Sequence, residues 1–140
     1  MRSDFEHWHP IKVRWRDMYT QNHVNNVTYF TYLEIARMEF LRGLGLFELK
    51  EPGKFGPAVV TQTCNYKSQA TYPSEIEVGI RPGKVTERSF SVLYEVYLKD
   101  TDKLLVDGHT VMTWVDFVKE KAISIPKELR ERILEMGSVE

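Results

Sequence analysis

Between His9 and Asp17 the chain reads HPIKVRWRD, with apolar residues at alternate positions. Ile11, Val13 and Trp15 share one face of a predicted extended strand, and Lys12, Arg14 and Arg16 share the other. Continued, the alternation puts Asp17 and Tyr19 on the apolar face. An inward carboxylate is costly unless bonded or paired, so Asp17 reads as a structural anchor or a working group. After the polar TQNHVNN the period lengthens: Val27, Phe30, Leu33, Arg37, Phe40, Leu41 and Leu44 follow helical spacing. Tyr29, Tyr32, Ile35, Ala36 and Met38 widen the apolar surface, which predicts a helix over Val27–Leu44 covered on several sides. Asn25 or Asn26 can cap its start, and Gly43 or Gly45 can close its end.

Lys50–Pro57, KEPGKFGP, reads as a loop. Four strand-like segments follow, Ala58–Ala70, Glu75–Lys84, Ser89–Lys99 and Leu104–Phe117, broken at TYPS, VTER and DTDK. In the third, Phe90, Val92, Tyr94, Val96 and Leu98 alternate with Ser91, Glu95 and Lys99, the pattern of a sheet with one covered face. Ile125–Met136 opens with a proline and reads as a terminal helix. One long apolar helix and about five antiparallel strands bury one another if the sheet curls around the helix. A sheet face left free would serve for dimerisation.

Composition narrows this only a little. At 140 residues, 42% hydrophobic and 28% charged, the chain fits a single domain over residues 1–140, with no repeat or linker. A net charge of −1 gives no general attraction to nucleic acid or anionic membrane, and no apolar run approaches the roughly 20 residues of a membrane span. The lone Cys64 cannot form an internal disulfide, and MRSDFEHWHP lacks the apolar core of a secretory signal, so a cytoplasmic protein is expected. His7, His9, His23 and His109 offer no convincing metal-ligand spacing, and no metal is expected.

The stretch RWRDMYTQNHVNNVTYFTYLEIARMEFL, Arg14 to Leu41, resembles the hotdog-fold thioesterases of the 4-hydroxybenzoyl-CoA thioesterase family. It is similar to that family's Asp-x-Asp-x-x-Gly-His-Val-Asn-Asn turn and the Tyr-rich helix with Glu-x-Ala-Arg that follows. WVDFVKEKAISIP resembles the family's last strand and the proline after it. The resemblance covers nearly the whole chain. It implies an α+β hotdog fold, in which a five-stranded antiparallel sheet wraps a long central helix and a short helix ends the chain. It further implies homodimers or homotetramers with sites at subunit interfaces, and hydrolysis of acyl-CoA or acyl-carrier-protein thioesters. CoA would enter as part of the substrate, and no separate cofactor is implied.

Family mechanisms use the second Asp of the turn as nucleophile or general base and a backbone N–H at the helix start to polarise the thioester carbonyl. That second Asp lies four residues before the His. Here the His is His23 and the matching position is Tyr19, while Asp17 keeps the first Asp and Asn22 replaces the glycine. A phenol ordinarily titrates near about pH 10, a poor base at neutrality, although it can donate to a developing oxyanion. Tyr19 is therefore expected as a wall or donor of the substrate site. Asp17 can act as base for water, orient His23, or brace the turn. His23 can be base or donor, or can bond the turn backbone. Asn26 N–H is the expected oxyanion donor, with Asn25 as a cap or substrate contact.

Glu34, eight residues past Asn26 and about 12 Å along the axis, is out of reach of the helix start and reads with Arg37 as a structural polar pair. Gln62, Thr63 and Asn65 can line the site from a neighbouring chain or be ordinary strand residues. Of Lys84 and Arg88, which flank a turn, Arg88 is the better phosphate contact for CoA. Two functional classes result: a thioesterase using Asp17, His23 and Asn26, or a non-hydrolytic acyl-thioester-binding protein in which Tyr19 marks the loss of the catalytic acid. A different reaction on the same thioesters, such as dehydration, is also compatible with the scaffold.

Overall fold

A computed structural model describes residues 1–20 and 22–137. A first strand, β1 (His7–Lys12), is followed by a single 3₁₀ turn over Trp15–Asp17 and then by helix α1 (Asn26–Gly43) and the short α2 (Leu46–Leu49). Strands β2 (Phe55–Tyr66), β3 (Glu75–Val85), β4 (Ser89–Leu98), β5 (Leu104–Asp116) and β6 (Lys121–Ala122) come next, and α3 (Lys127–Glu135) ends the order. The sheet is antiparallel in the order β1-β3-β4-β5-β2, with β6 paired to β5. The curled sheet, long helix and short terminal helix are the α+β architecture expected of a hotdog fold.

The alternation in β1 does not run to Asp17. The strand ends at Lys12 and the chain tightens into the 3₁₀ turn, which rotates Trp15 out to solvent at 73% exposure and still buries Asp17 at 3%. Tyr19, expected inside, is 42% exposed. The cause is local: Asp17 accepts the Arg14 backbone N–H at 2.9 Å, which closes three residues and breaks the extended repeat.

Helix α1 also departs from expectation. Its buried residues, Tyr29, Tyr32, Leu33, Ala36, Arg37, Phe40 and Leu41, form one stripe at three- and four-residue spacing rather than a surface covered on several sides. Val27, at 71% exposure, and Ile35 stay open within the protomer. Asn25 is the cap, its side-chain oxygen accepting Val27 N–H at 3.0 Å. β2 begins three residues early, inside the expected loop, and ends at Tyr66, where the Lys67 and Ser68 N–H groups both turn to the Leu105 carbonyl. Pro126 stands at the cap position, one residue before α3, because it has no N–H to give.

The core is one cluster that joins α1 to the inner faces of the strands and to α3, with Trp114, Tyr94, Phe90, Leu105 and Leu129 among its fully buried members. Arg37 enters it with the exposed Glu34 as its ion-pair partner, the polar pair expected from the sequence. Its guanidinium donates to Tyr94 Oη at 3.2 Å and to Thr110 Oγ1 at 3.4 Å, while Glu34 stands 3.8 Å away in solvent.

β2 and β5 approach so closely that a Cβ added at Gly108 would overlap the Thr63 carbonyl oxygen. Backbone cannot move aside as a flexible side chain can. Gly108→Ala should therefore lower stability by about 1–3 kcal/mol in urea unfolding, and an unchanged midpoint would contradict this packing.

Candidate active site

The site is built on the turn between β1 and α1. Tyr19 N–H donates to the His23 carbonyl at 3.1 Å, Met18 pairs with Val24 as a bridge, and Val24 N–H reaches the Ala70 carbonyl at 3.0 Å. Asn22 holds a left-handed φ of 60°, a conformation that asparagine tolerates better than most residues. Asn25 N–H donates to the Asp17 backbone carbonyl at 3.0 Å, so the cap residue hangs directly from the buried aspartate.

Both Asp17 carboxylate oxygens are occupied. Oδ1 accepts Arg14 Nη2 at 2.9 Å; Oδ2 accepts Tyr32 Oη at 2.7 Å as well as Arg14 N–H. Burial pushes this carboxyl up, but the guanidinium and backbone N–H of Arg14, together with the Tyr32 hydroxyl, outweigh it and hold the group below its ordinary range. Burial, and next the bond to Asp17, drive the Tyr32 phenol well above its ordinary value, which keeps it a donor. The carboxylate thus ties the turn to the second helical turn of α1.

At the helix start, Val27 N–H is taken by the Asn25 side chain and Thr28 N–H by the Asn25 carbonyl at 2.9 Å. Asn26 N–H has no acceptor among the described residues, and it lies at the positive end of an 18-residue helix. The Asn26 carbonyl accepts the Tyr66 hydroxyl at 3.0 Å, which pins the helix head to the end of β2. Three residues before Asn26, the His23 ring is partly exposed and makes no side-chain hydrogen bond among the described residues; its ring contact is Tyr19, at 6.2 Å between centroids.

The structure therefore gathers Asp17, Tyr19, His23, Asn25 and Asn26 into one turn. Arg88 is not part of it. Its carbonyl accepts Trp114 N–H and the Thr113 hydroxyl, and Thr113 pairs with Ala58, whereas the helix head rests on Tyr66 at the far end of the same strand. The intervening eight residues span about 25 Å. Gln62, exposed on β2, accepts Arg37 Nη1 at 3.4 Å, and Asn65 donates to Asp107 at 2.8 Å. Sequence reasoning did not single out Arg14, Tyr32 or Tyr66. Of these, Tyr32, fifteen residues after Asp17, carried a local hint as part of the Tyr-rich helix.

A curled antiparallel sheet on one long helix, with a capped turn at the helix head, defines the class of hotdog-fold thioesterase-like proteins. The chain belongs to the thioesterase-like superfamily, whose sequence model matches residues 13–133. It is 25% identical over 126 residues to the long-chain acyl-CoA thioesterase FadM of Escherichia coli, covering 90% of this chain and 96% of that one. The crystal structure of the PA5185 protein from Pseudomonas aeruginosa superposes with a TM-score of 0.85 at 27% identity, covering 96% of this chain and 94% of that one. Slr0204, a 1,4-dihydroxy-2-naphthoyl-CoA thioesterase from Synechocystis, shares the fold with a TM-score of 0.84 at 15% identity, covering 93% and 96%.

Asp17 is stabilising as an ionised group, because its folded value lies below its ordinary one. Its contribution is complete above about pH 4 and is lost as pH falls through the lower folded value. The difference in urea midpoint between wild type and Asp17→Asn should accordingly shrink below about pH 4; a pH-independent difference would contradict the ion pair. Tyr32→Phe should cost about 1.5–3 kcal/mol at neutral pH, the loss of a buried hydrogen bond to a charged acceptor.

Proposed function

We propose that the protein is a cytoplasmic, homo-oligomeric hydrolase of acyl-CoA thioesters that works without an acid at the Tyr19 position. The observation that carries this reading is the unpartnered Asn26 N–H at the head of α1, close in sequence to an unbonded imidazole. The family supports a thioester hydrolase, and the acyl-CoA activity for which FadM is named supports a CoA-type substrate.

In this reading the thioester carbonyl oxygen accepts Asn26 N–H, and the helix dipole favours the charge that develops on it. His23 takes a proton from water as the water oxygen attacks the carbonyl carbon. The tetrahedral intermediate collapses by breaking the C–S bond, and the imidazolium returns its proton to the departing thiolate. The products are the free acid and the thiol. Asp17, with both oxygens committed to Arg14 and Tyr32, acts by holding the turn. Tyr19 forms a wall beside His23.

A second copy is expected to complete the site. β2 is a 12-residue edge strand whose register shifts between Val59 and Thr61, and Val60 at that irregularity is 58% exposed. A long apolar edge is ordinarily covered, and antiparallel pairing of two β2 strands would also cover Val27 and Ile35 of α1. Such pairing would carry the partner's copy of the Arg88 turn toward this helix head, the arrangement in which Arg88 could meet substrate.

Thiol release from a panel of short, long and aromatic acyl-CoAs tests the assignment. His23→Ala should lower kcat by about 10²–10⁴-fold with little change in KM. Asp17→Asn should keep the wild-type pH dependence of kcat at temperatures where it stays folded. If that variant instead loses the pH dependence, Asp17 is the base. Tight acyl-CoA binding with no thiol release would make the protein a binder in which Tyr19 has displaced catalysis.

A further inference from the structure

The 3₁₀ turn that buries Asp17 sends the preceding residues outward, and these form a surface that the proposed chemistry does not use. Trp15 projects into solvent and meets the exposed Tyr72 edge to face, with ring centroids 5.9 Å apart and planes at 77°. An edge contact leaves much of the indole face open. Trp15 borders two concavities. One, of about 640 Å³, lies against Lys12, Arg14 and Tyr72; the other, of about 500 Å³, lies against Arg16 and Tyr19.

Three cations thus flank one open indole. Lys12 and Arg16 have no ion pair among the described residues, and Arg14 is 58% exposed although its guanidinium holds Asp17. Glu75, which also lines the first concavity, is paired with Lys99 at 3.2 Å. Flat aromatic surface beside unpaired cations is the chemistry that holds a nucleobase by stacking and its phosphates by charge. The second concavity leads toward the reacting turn, because Tyr19 lines it and touches His23.

We propose that this surface binds the adenosine 3′,5′-bisphosphate part of CoA: the base stacks on Trp15, and Lys12 and Arg16 meet the phosphates. The inference deepens the hydrolase reading and rests on it for the identity of the tethered acyl group. It chooses CoA over a carrier protein, and it places nucleotide recognition on the same protomer as the catalytic turn rather than across the subunit interface at Arg88.

Two measurements separate the ideas. In calorimetric titration with adenosine 3′,5′-bisphosphate alone, wild type should bind saturably, Trp15→Ala should weaken binding about tenfold, and Arg16→Ala should weaken it severalfold and reduce its salt dependence. In steady-state assays the same variants should raise KM for an acyl-CoA and leave the matching acyl-pantetheine unchanged, since only the former carries the nucleotide. Binding unaltered in both variants, or an equal effect on the two thioesters, would overturn the proposal. So would variants that impair an acyl-carrier-protein substrate as much as acyl-CoA, which would make the surface a protein dock. Saturable, Trp15-dependent nucleotide binding without thiol release from any substrate would sustain the nucleotide site while rejecting the hydrolase reading.

Discussion

The buried carboxylate of Asp17 is the constraint on which the turn between β1 and α1 depends. A charge at 3% exposure persists in a protein only when its hydrogen-bonding capacity is met, and here a backbone N–H, a guanidinium and a phenol meet it. Two of these donors belong to Arg14, at the entry to the 3₁₀ turn, and the third to Tyr32, on the buried stripe of α1. One side chain therefore fixes the direction in which the chain leaves β1 and the place where the helix begins. The Asp17 backbone carbonyl then holds the N–H of Asn25, whose own side chain caps Val27. The orientation of Asn26 N–H follows from this sequence of bonds.

That arrangement makes the helix head available. Helix starts carry several unpaired donors, and most are satisfied by caps or water. In α1 the cap takes Val27 and Thr28 and leaves Asn26 N–H without an acceptor among the described residues, while Tyr66 secures the Asn26 carbonyl from β2. A donor held in place before substrate arrives costs no reorganisation during reaction, which is where electrostatic stabilisation of an oxyanion gains its strength. The same protomer leaves β2 at the edge of the sheet and Val27 exposed in the first turn of α1.

Much of the fold was legible because its signals are local and periodic. The long helix, the four later strands and the terminal helix all announced themselves through spacing, with no boundary moved by more than four residues. The errors lie where a side-chain bond or the burial of one face overrides the periodic pattern. Alternation through Trp15 and Asp17 looked like a continuing strand, but a side chain accepting an N–H three residues back outweighed it. The helix looked apolar all round, yet Val27 and Ile35 are exposed, and sequence alone does not say which apolar positions the fold leaves outside the core. The turn residues were readable as a group through their motif. Their supporting donors were not, since Tyr32 and Tyr66 become neighbours of Asp17 and Asn26 only through folding.

The replacement at Tyr19 is best understood from where the turn puts it. Position 19 is 42% exposed and lies beside the His23 ring, whereas position 17 is enclosed and saturated with donors. A carboxylate at position 19 would be free to accept a proton; the one at position 17 is stabilised as an anion and has lost basicity through the same bonds that stabilise it. The two positions are therefore not interchangeable, and an aspartate cannot move two residues up this turn and keep a catalytic acid's properties. In the proposed reading, with no carboxylate at position 19, the His23 imidazole, which makes no side-chain hydrogen bond among the described residues, becomes the proton acceptor beside the Tyr19 ring. Such a site would retain the preorganised donor of its family while changing the group that activates water.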